Sequence, residues 1–283
     1  MEYKVLSNGI KMPIVGFGVF QVDDQKICEQ AVLDAIEVGY RSIDTAATYL
    51  NEEAVGRAVA ASGVKREELF ITTKLWVQDH GYDNTKRAFE KSLKKLGLDY
   101  LDMYLIHKPY SDYYGSWRAM EDLYKEGLVK AIGVTSFPSE RLLDLFLHNE
   151  IKPMVNQIET NVWFQRKEEE NFLKKEGIAH EAWAPFAEGN NDVFNAPVLK
   201  EIGEKYGKTT GQIMLRWLIQ RDVIVIPKSV KKERMKQNID VFDFELATED
   251  MERIAGMDTG KSTIHDPQDL ETARWIGTFT VEL

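Results

Sequence analysis

"LFITTKLWVQDHGYDNTKRAFEKSLKKLGLDYLDMYLIH", residues 69–107, decides the fold. It opens on an apolar, β-branched run, LFITTKL (69–75), and closes on another, DMYLIH (102–107). Between them, NTKRAFEKSLKKLGL places apolar residues three and four apart and ends on a glycine, the spacing of an amphipathic helix and its stop. Strand, helix and strand in this order form the unit of a parallel sheet with a right-handed crossover. The same alternation runs along the whole chain. Further strand-like runs are IVGFG (14–18), RSID (41–44), AIGVT (131–135), PMVNQIE (153–159), IAHEAWA (178–184) and VIVIP (223–227), with segments of helical period such as GSWRAMEDLYKEGL between them. Eight such units with no linker or low-complexity break predict an α/β fold, a single (β/α)8 TIM barrel filling one domain over residues 1–283. EYKVLSNGIKMP, with its Asn-Gly turn, predicts an N-terminal β-hairpin closing the barrel bottom. The segment beyond about residue 258, ending in RWIGTFTVEL, predicts a C-terminal tail over the active-site face.

With 46 acidic and 36 basic side chains among 283 residues, the net charge is -10. That balance disfavours nucleic acid and anionic membrane surfaces as partners and leaves a small molecule as the expected one. The first residues carry charges where a signal sequence is apolar, and no run approaches the length of a membrane span, so a soluble, cytoplasmic protein is expected. Cys28, the only cysteine, excludes an intrachain disulfide and reads as an apolar member of the helix KICEQAVLDAIEVG. His80, His148, His180 and His265 show no metal-ligand spacing, so no metal site is expected.

Barrels of this kind carry their reactive groups at the C-terminal ends of the strands. Asp44 closes the second run, Lys74 lies at the end of the third and His107 ends the fourth. Thr135 and Ser136 follow the fifth, Gln157 and Glu159 end the sixth, Trp183 the seventh, and Lys228 with Ser229 follow the eighth. Tyr49 stands five residues beyond Asp44 in GYRSIDTAATYLNEEAVG (39–56), where a strand gives way to a helix. Alone, each has an ordinary explanation: a Tyr there packs, and a Lys or Asp at a strand end is solvated or capping. Together they make a proton donor. A phenol is a poor acid at neutral pH, an ammonium such as Lys74 favours its ionised form, Asp44 holds that ammonium in place, and His107 orients a substrate oxygen. A carbonyl turning into an alkoxide needs such a donor.

GYRSIDTAATYLNEEAVG, ITTKLW, YLIHKP, NQIE and IPKSVKKERMKQNI resemble, in this order and over nearly the whole chain, the signature segments of the aldo-keto reductases. The short connection HKPYSDYYGSWRAM resembles the compact prokaryotic branch that includes the 2,5-diketo-D-gluconate reductases and related small-aldehyde and methylglyoxal reductases. The resemblance implies a monomeric barrel enzyme that reduces aldehydes and ketones with NADPH. It implies Tyr49 as general acid, Lys74 as the group lowering its pKa, Asp44 as support and His107 as the orienting group. AWAPF stands where the family has A-Y-S-P-L, which implies Trp183 as the ring under the nicotinamide, with Gln157 on the carboxamide. KSVKKERMKQN, rich in basic residues after the eighth run, suits an anion at a helix N-terminus. The resemblance places Lys228, Ser229 and Arg234 on the 2′-phosphate and Asn238 on the adenine, with Gln237 where a Glu is common.

Three departures stand out. Thr135-Ser136 replaces the family's Ser-Asn, exchanging an amide for a hydroxyl at a cost to cofactor binding on the order of 1 kcal/mol. Lys108 replaces a Trp beside His107, which sets a cation either toward a substrate carboxylate or toward solvent. Phe20 stands where many members have Trp and, with Trp76, is expected to line the substrate pocket; Trp275 and Phe279 of the tail are weaker candidates. Two other readings compete with the reductase. One is a Schiff-base aldolase using Lys74 or Lys228, and the other is a non-catalytic NADP(H)-binding regulatory subunit.

Overall fold

The computed structural model describes residues 2–264 and 269–282. The chain opens with a hairpin, β1 (Tyr3–Val5) and β2 (Lys11–Pro13), paired antiparallel. Then follow β3 (Phe17–Gly18), α1 (Gln25–Glu37), β4 (Ser42–Asp44), α2 (Glu52–Ala61), β5 (Phe70–Leu75), α3 (Tyr82–Leu96), β6 (Leu101–Ile106), α4 (Tyr113–Lys125) and β7 (Val129–Thr135). The second half runs α5 (Ser139–Leu147), β8 (Val155–Glu159), α6 (Lys167–Glu176), β9 (Ala179–Trp183), α7 (Pro197–Tyr206), α8 (Thr210–Gln220), β10 (Ile224–Val225) and α9 (Lys232–Ile239). Two further helices, α10 (Thr248–Ala255) and α11 (Leu270–Thr278), complete it. Strands β3 to β10 lie side by side in chain order, all parallel. A parallel bridge between Val15 and Val225 closes the sheet on itself, with Gly16 N donating to Val225 O at 2.8 Å and Val225 N to Ile14 O at 2.9 Å. The fold is the predicted (β/α)8 barrel.

Closure explains why the first and last barrel strands are shorter than their apolar runs. At the seam a Cβ on Gly18 would stand 3.1 Å from the Ile226 carbonyl oxygen, and one on Gly16 3.1 Å from Ile226 Cγ2, so the absent side chains let the two ends of the sheet approach. The central strands β5 and β6 are buried at every position, as expected of strands covered on one face by helices and filled on the other by the barrel interior. Helix α3 turns Ala88, Phe89, Ser92 and Leu96 inward and ends on Gly97 at φ 64°, the left-handed stop visible in the sequence. Cys28 is buried in α1, where burial raises its thiol to about 11. Among the described residues no helix is long and apolar enough to cross a membrane.

The hairpin sits at the N-terminal end of the strands: Asn8 Nδ2 donates to the carbonyl of Lys130, near the start of β7, at 3.0 Å. The tail reaches the opposite end. Trp76, just past β5, donates from Nε1 to Phe279 O at 2.9 Å; Gln78 donates to Val281 O at 3.1 Å and accepts from Val281 N at 2.9 Å. Ile276 of α11 is buried with Trp76 and Val77.

His180, in β9, is buried and uncharged; burial, with Arg221 and Arg166 nearby, lowers it to about 3, and among the described residues its Nδ1 has no hydrogen-bond partner. An unfolded histidine titrates near 6.5, so below that pH the unfolded chain takes up a proton that the folded chain refuses. This residue's destabilisation starts as pH falls through about 6.5 and reaches on the order of 3 kcal/mol by about pH 4. His180→Gln is therefore expected to lose less melting temperature than the wild type between pH 7 and pH 4. Equal losses in the two proteins would show that this histidine does not set the slope.

Candidate active site

At the mouth of the barrel, β4 ends on Asp44 and β5 presents Lys74 toward the interior. Lys74 has no exposed surface, and its Nζ donates to Asp44 Oδ1 at 2.5 Å, to Thr45 O at 2.9 Å and to Tyr49 Oη at 3.5 Å. Tyr49 ends a 3-10 turn, Ala47–Tyr49, closed by Leu50 in the left-handed region at φ 54°. Asn51 fixes that turn from below. Wholly buried, it donates to Val19 O at 3.0 Å and Val22 O at 3.3 Å and accepts from Thr45 Oγ1 at 2.7 Å. His107 follows β6, with its ring centroid 5.6 Å from that of Tyr49 and its Nδ1 3.5 Å from Thr48 Oγ1. The residues singled out at the ends of the second, third and fourth runs thus meet at one point.

Burial lowers the Lys74 amine, but the Asp44 carboxylate, Tyr49 and Glu181 outweigh it, and Lys74 is raised: it stays an ammonium. Burial raises the Tyr49 phenol. Lys74 opposes this through its charge and its hydrogen bond, yet the net direction is upward. The expected lowering by Lys74 is therefore present but outweighed, and the phenol keeps its proton at neutral pH. His107 is pushed well below its ordinary value by burial and by Lys74, Lys108 and His80, so it is a neutral imidazole.

Behind this set lies a layer of polar groups that strand-end reasoning read incompletely. Gln157 Nε2 donates to Asp44 Oδ2 and to Glu181 Oε2, both at 3.0 Å, so its amide nitrogen is engaged inside the barrel and only its oxygen remains for a ligand. Glu181 is fully buried, and burial and the Asp44 charge raise it to about 8. Sequence reasoning missed Glu181, Thr48, Thr45 and Asn51. A carboxylate inside the apolar run IAHEAWA was the available signal for Glu181, whereas Thr45 acts through its backbone carbonyl, which leaves no trace in residue type.

Thr135 donates to His107 O, and Ser136 sits in the left-handed region at φ 59°. Lys108 does not point to solvent: its Nζ donates to Ser136 Oγ at 3.1 Å and lies 5.4 Å from the centroid of the Trp183 ring. Burial, with a smaller contribution from Lys74, lowers it to about 8, while Glu159 pulls the other way. On the other side of the mouth the Phe20 ring lies 5.0 Å from that of Tyr49, and Trp76 lies 5.1 Å from His107. Phe279 stands edge-on to Trp76 at 6.1 Å and 5.5 Å from Trp275, which brings the tail aromatics to the same wall.

Beyond β10 the basic segment forms a loop and the start of α9. Lys232 pairs with Asp34 and Glu37, and Lys236 with Glu233. Among the described residues Lys228, Lys231 and Arg234 make no ion pair, although all are exposed in a chain of net charge -10. Ser229 and Asn238 are buried beside them, and Ser229 Oγ accepts from Lys231 N at 3.0 Å. Unpaired cations around a helix start suit an anionic ligand. Among the described residues no group of His, Cys, Asp and Glu has the arrangement to hold a metal; His265 lies outside them.

The sequence profile of the Aldo/keto reductase family matches residues 15–259. The chain is 48% identical to a glyoxal reductase of Bacillus subtilis, over 94% of this chain and 96% of that one. It is 43% identical to the methylglyoxal reductase DkgA of Escherichia coli, over 93% and 95% of the two chains. Among solved structures, an aldo-keto reductase of Bombyx mori in complex with NADP superposes with a TM-score of 0.87 at 38% identity, over 96% of each chain. On these matches, which span the strands that carry Asp44, Lys74 and His107, the chain belongs to the aldo/keto reductase family.

Proposed function

We propose that this protein reduces aldehydes and ketones to alcohols with NADPH, through a site made of Tyr49, Lys74, Asp44 and His107. The observation that carries the reading is the contact of Lys74 Nζ with Asp44 and Tyr49 Oη beside a neutral His107. Tyr49, held protonated by burial, donates its proton to the carbonyl oxygen as negative charge develops there. Lys74 stabilises the phenolate left behind, and Asp44 keeps the ammonium in position. His107, uncharged, orients the carbonyl by a hydrogen bond and adds no competing proton source. The Schiff-base reading through Lys74 loses support, because an imine-forming lysine must be a free neutral amine and Lys74 is a paired ammonium.

When bound, NADPH supplies the hydride. Its nicotinamide is assigned to the Trp183 ring, with Thr135, Ser136 and the Gln157 oxygen at the carboxamide. Lys228, Ser229 and Arg234 are assigned to the 2′-phosphate and Asn238 to the adenine; the unpaired cations after β10 support this. Phe20, Trp76 and Lys108 line the substrate side. The mouth between them, and the relatives named as glyoxal and methylglyoxal reductases, favour a small aldehyde, dicarbonyl or keto-sugar. We assign the whole chain to one barrel domain acting as a cytoplasmic monomer, with neither nucleic acid nor membrane as partner; the net charge of -10 supports the last two.

Tyr49→Phe removes the proton donor and little else. Turnover of methylglyoxal is expected to fall by roughly 10²- to 10⁴-fold, with NADPH affinity close to that of the wild type; unchanged turnover would remove the general-acid assignment. Arg234→Ala is expected to weaken NADPH binding by roughly ten- to a hundredfold, the loss of a charge-assisted contact, and to leave NADH binding unaffected. Titration of both cofactors against wild type and variant decides it: a constant NADPH-to-NADH affinity ratio would take the 2′-phosphate away from Arg234.

A further inference from the structure

The cation at Lys108 is directed at the aromatic surface on which the proposed function seats the nicotinamide. Its Nζ lies over the Trp183 ring at 5.4 Å and on Ser136 Oγ at 3.1 Å, and its charge is felt by His107. Among the described residues no carboxylate pairs with it. Glu159, the acid that attracts it, already accepts from Ser262 Oγ at 2.5 Å and Thr263 N at 3.3 Å. A flat ring seated on Trp183 would take the place of the ammonium over the indole face, and the side chain, adjacent in sequence to His107, would stay beside that ring.

The two forms of the cofactor meet this cation differently, because the reduced nicotinamide ring is neutral and the oxidised ring carries a positive charge. We propose that Lys108 discriminates between the redox forms of the cofactor, disfavouring the oxidised, cationic ring and admitting the reduced one, so that the site is biased toward carbonyl reduction and release of NADP+. The inference rests on the proposed function, in which Trp183 is the nicotinamide platform. With an effective dielectric constant near 20, two unit charges roughly 10 Å apart change an affinity by on the order of tenfold.

The charge is also titratable. With Lys108 lowered to about 8, raising the pH from 7 to 9.5 removes it and should tighten NADP+ selectively. The groups facing it are Glu159, Lys74 and His107, with Glu181 deeper in the barrel. Lys74 stays charged and His107 neutral over that range, but Glu181 also titrates near 8 and would move NADP+ binding in the same direction. Arginine at position 108 separates the two, since it keeps its charge throughout.

The experiment is a tryptophan-fluorescence titration of the full chain with NADP+ and with NADPH, for wild type, Lys108→Met and Lys108→Arg, at pH 7 and pH 9.5. Expected are a wild type that favours NADPH at pH 7, a Lys108→Met that binds NADP+ roughly tenfold more tightly with little change for NADPH, and a Lys108→Arg that keeps the preference at both pH values. A ratio of the two affinities that is the same in wild type and Lys108→Met overturns the proposal. So does a pH dependence that survives in Lys108→Arg, which would assign it to Glu181. Should neither nucleotide bind the wild type, the NADPH reading itself fails, an outcome distinct from both. Should Lys108→Met disturb folding, the comparison of wild type with Lys108→Arg at the two pH values still decides the proposal.

Discussion

A primary amine with no exposed surface cannot remain charged unless its surroundings replace water atom for atom. Lys74 has three N–H donors, and the structure gives it three oxygen acceptors: the Asp44 carboxylate, the Thr45 carbonyl and the Tyr49 hydroxyl. Removing the Asp44 carboxylate would leave a buried charge without its counter-ion, a condition that costs several kcal/mol. The rest of the mouth follows from that requirement. The chain after β4 must turn so that Thr45 offers its carbonyl, the 3-10 turn must set Tyr49 above the amine, and Asn51 must brace the turn against the residues after β3.

The same set is close to electrically balanced before any chemistry. Asp44 answers Lys74. Glu181, held near 8 by burial and by Asp44, keeps its proton at neutral pH, so Gln157 bridges one carboxylate and one carboxylic acid rather than two anions. Loss of a proton from Tyr49 would then create a new negative charge, and it would do so 3.5 Å from an ammonium. Burial makes the phenol a weaker acid at rest, and in the proposed reaction the ammonium would make its anion tolerable once a substrate oxygen draws the proton away. The two influences act at different stages, so an upward shift in the resting protein is compatible with efficient donation.

Much of this was legible in the sequence because strand ends in a β/α barrel all face one way: locating the end of each apolar run located Asp44, Lys74 and His107 without knowledge of any contact. The runs IVGFG and VIVIP mark the first and last barrel strands but not their extent, since only Phe17–Gly18 and Ile224–Val225 are paired as strands, with a bridge from Val15 to Val225. What was not legible depends on three-dimensional choice of rotamer or on the backbone. Residue type does not reveal that Gln157 turns its nitrogen inward, that Thr45 contributes a carbonyl, or that Lys108, free to point outward, folds over Trp183.

Among the described residues, the cations of this acidic chain divide between those paired with carboxylates and those in no ion pair. Lys86, Lys125 and Lys152 lie against carboxylates on the outer surface, where such pairs contribute little. Lys228, Lys231 and Arg234 at the start of α9 make no such pair among the described residues, as many other surface cations do not, but here three lie together beside buried Ser229 and Asn238; Lys108 makes none at the mouth. Cations gathered at a concave site draw an anion toward it. A nucleotide with its phosphates near α9 and its ring near Lys108 would meet attraction at one end and, in its oxidised form, repulsion at the other. Tight anchoring of the phosphates and easy departure of the oxidised ring are then properties of one charge distribution.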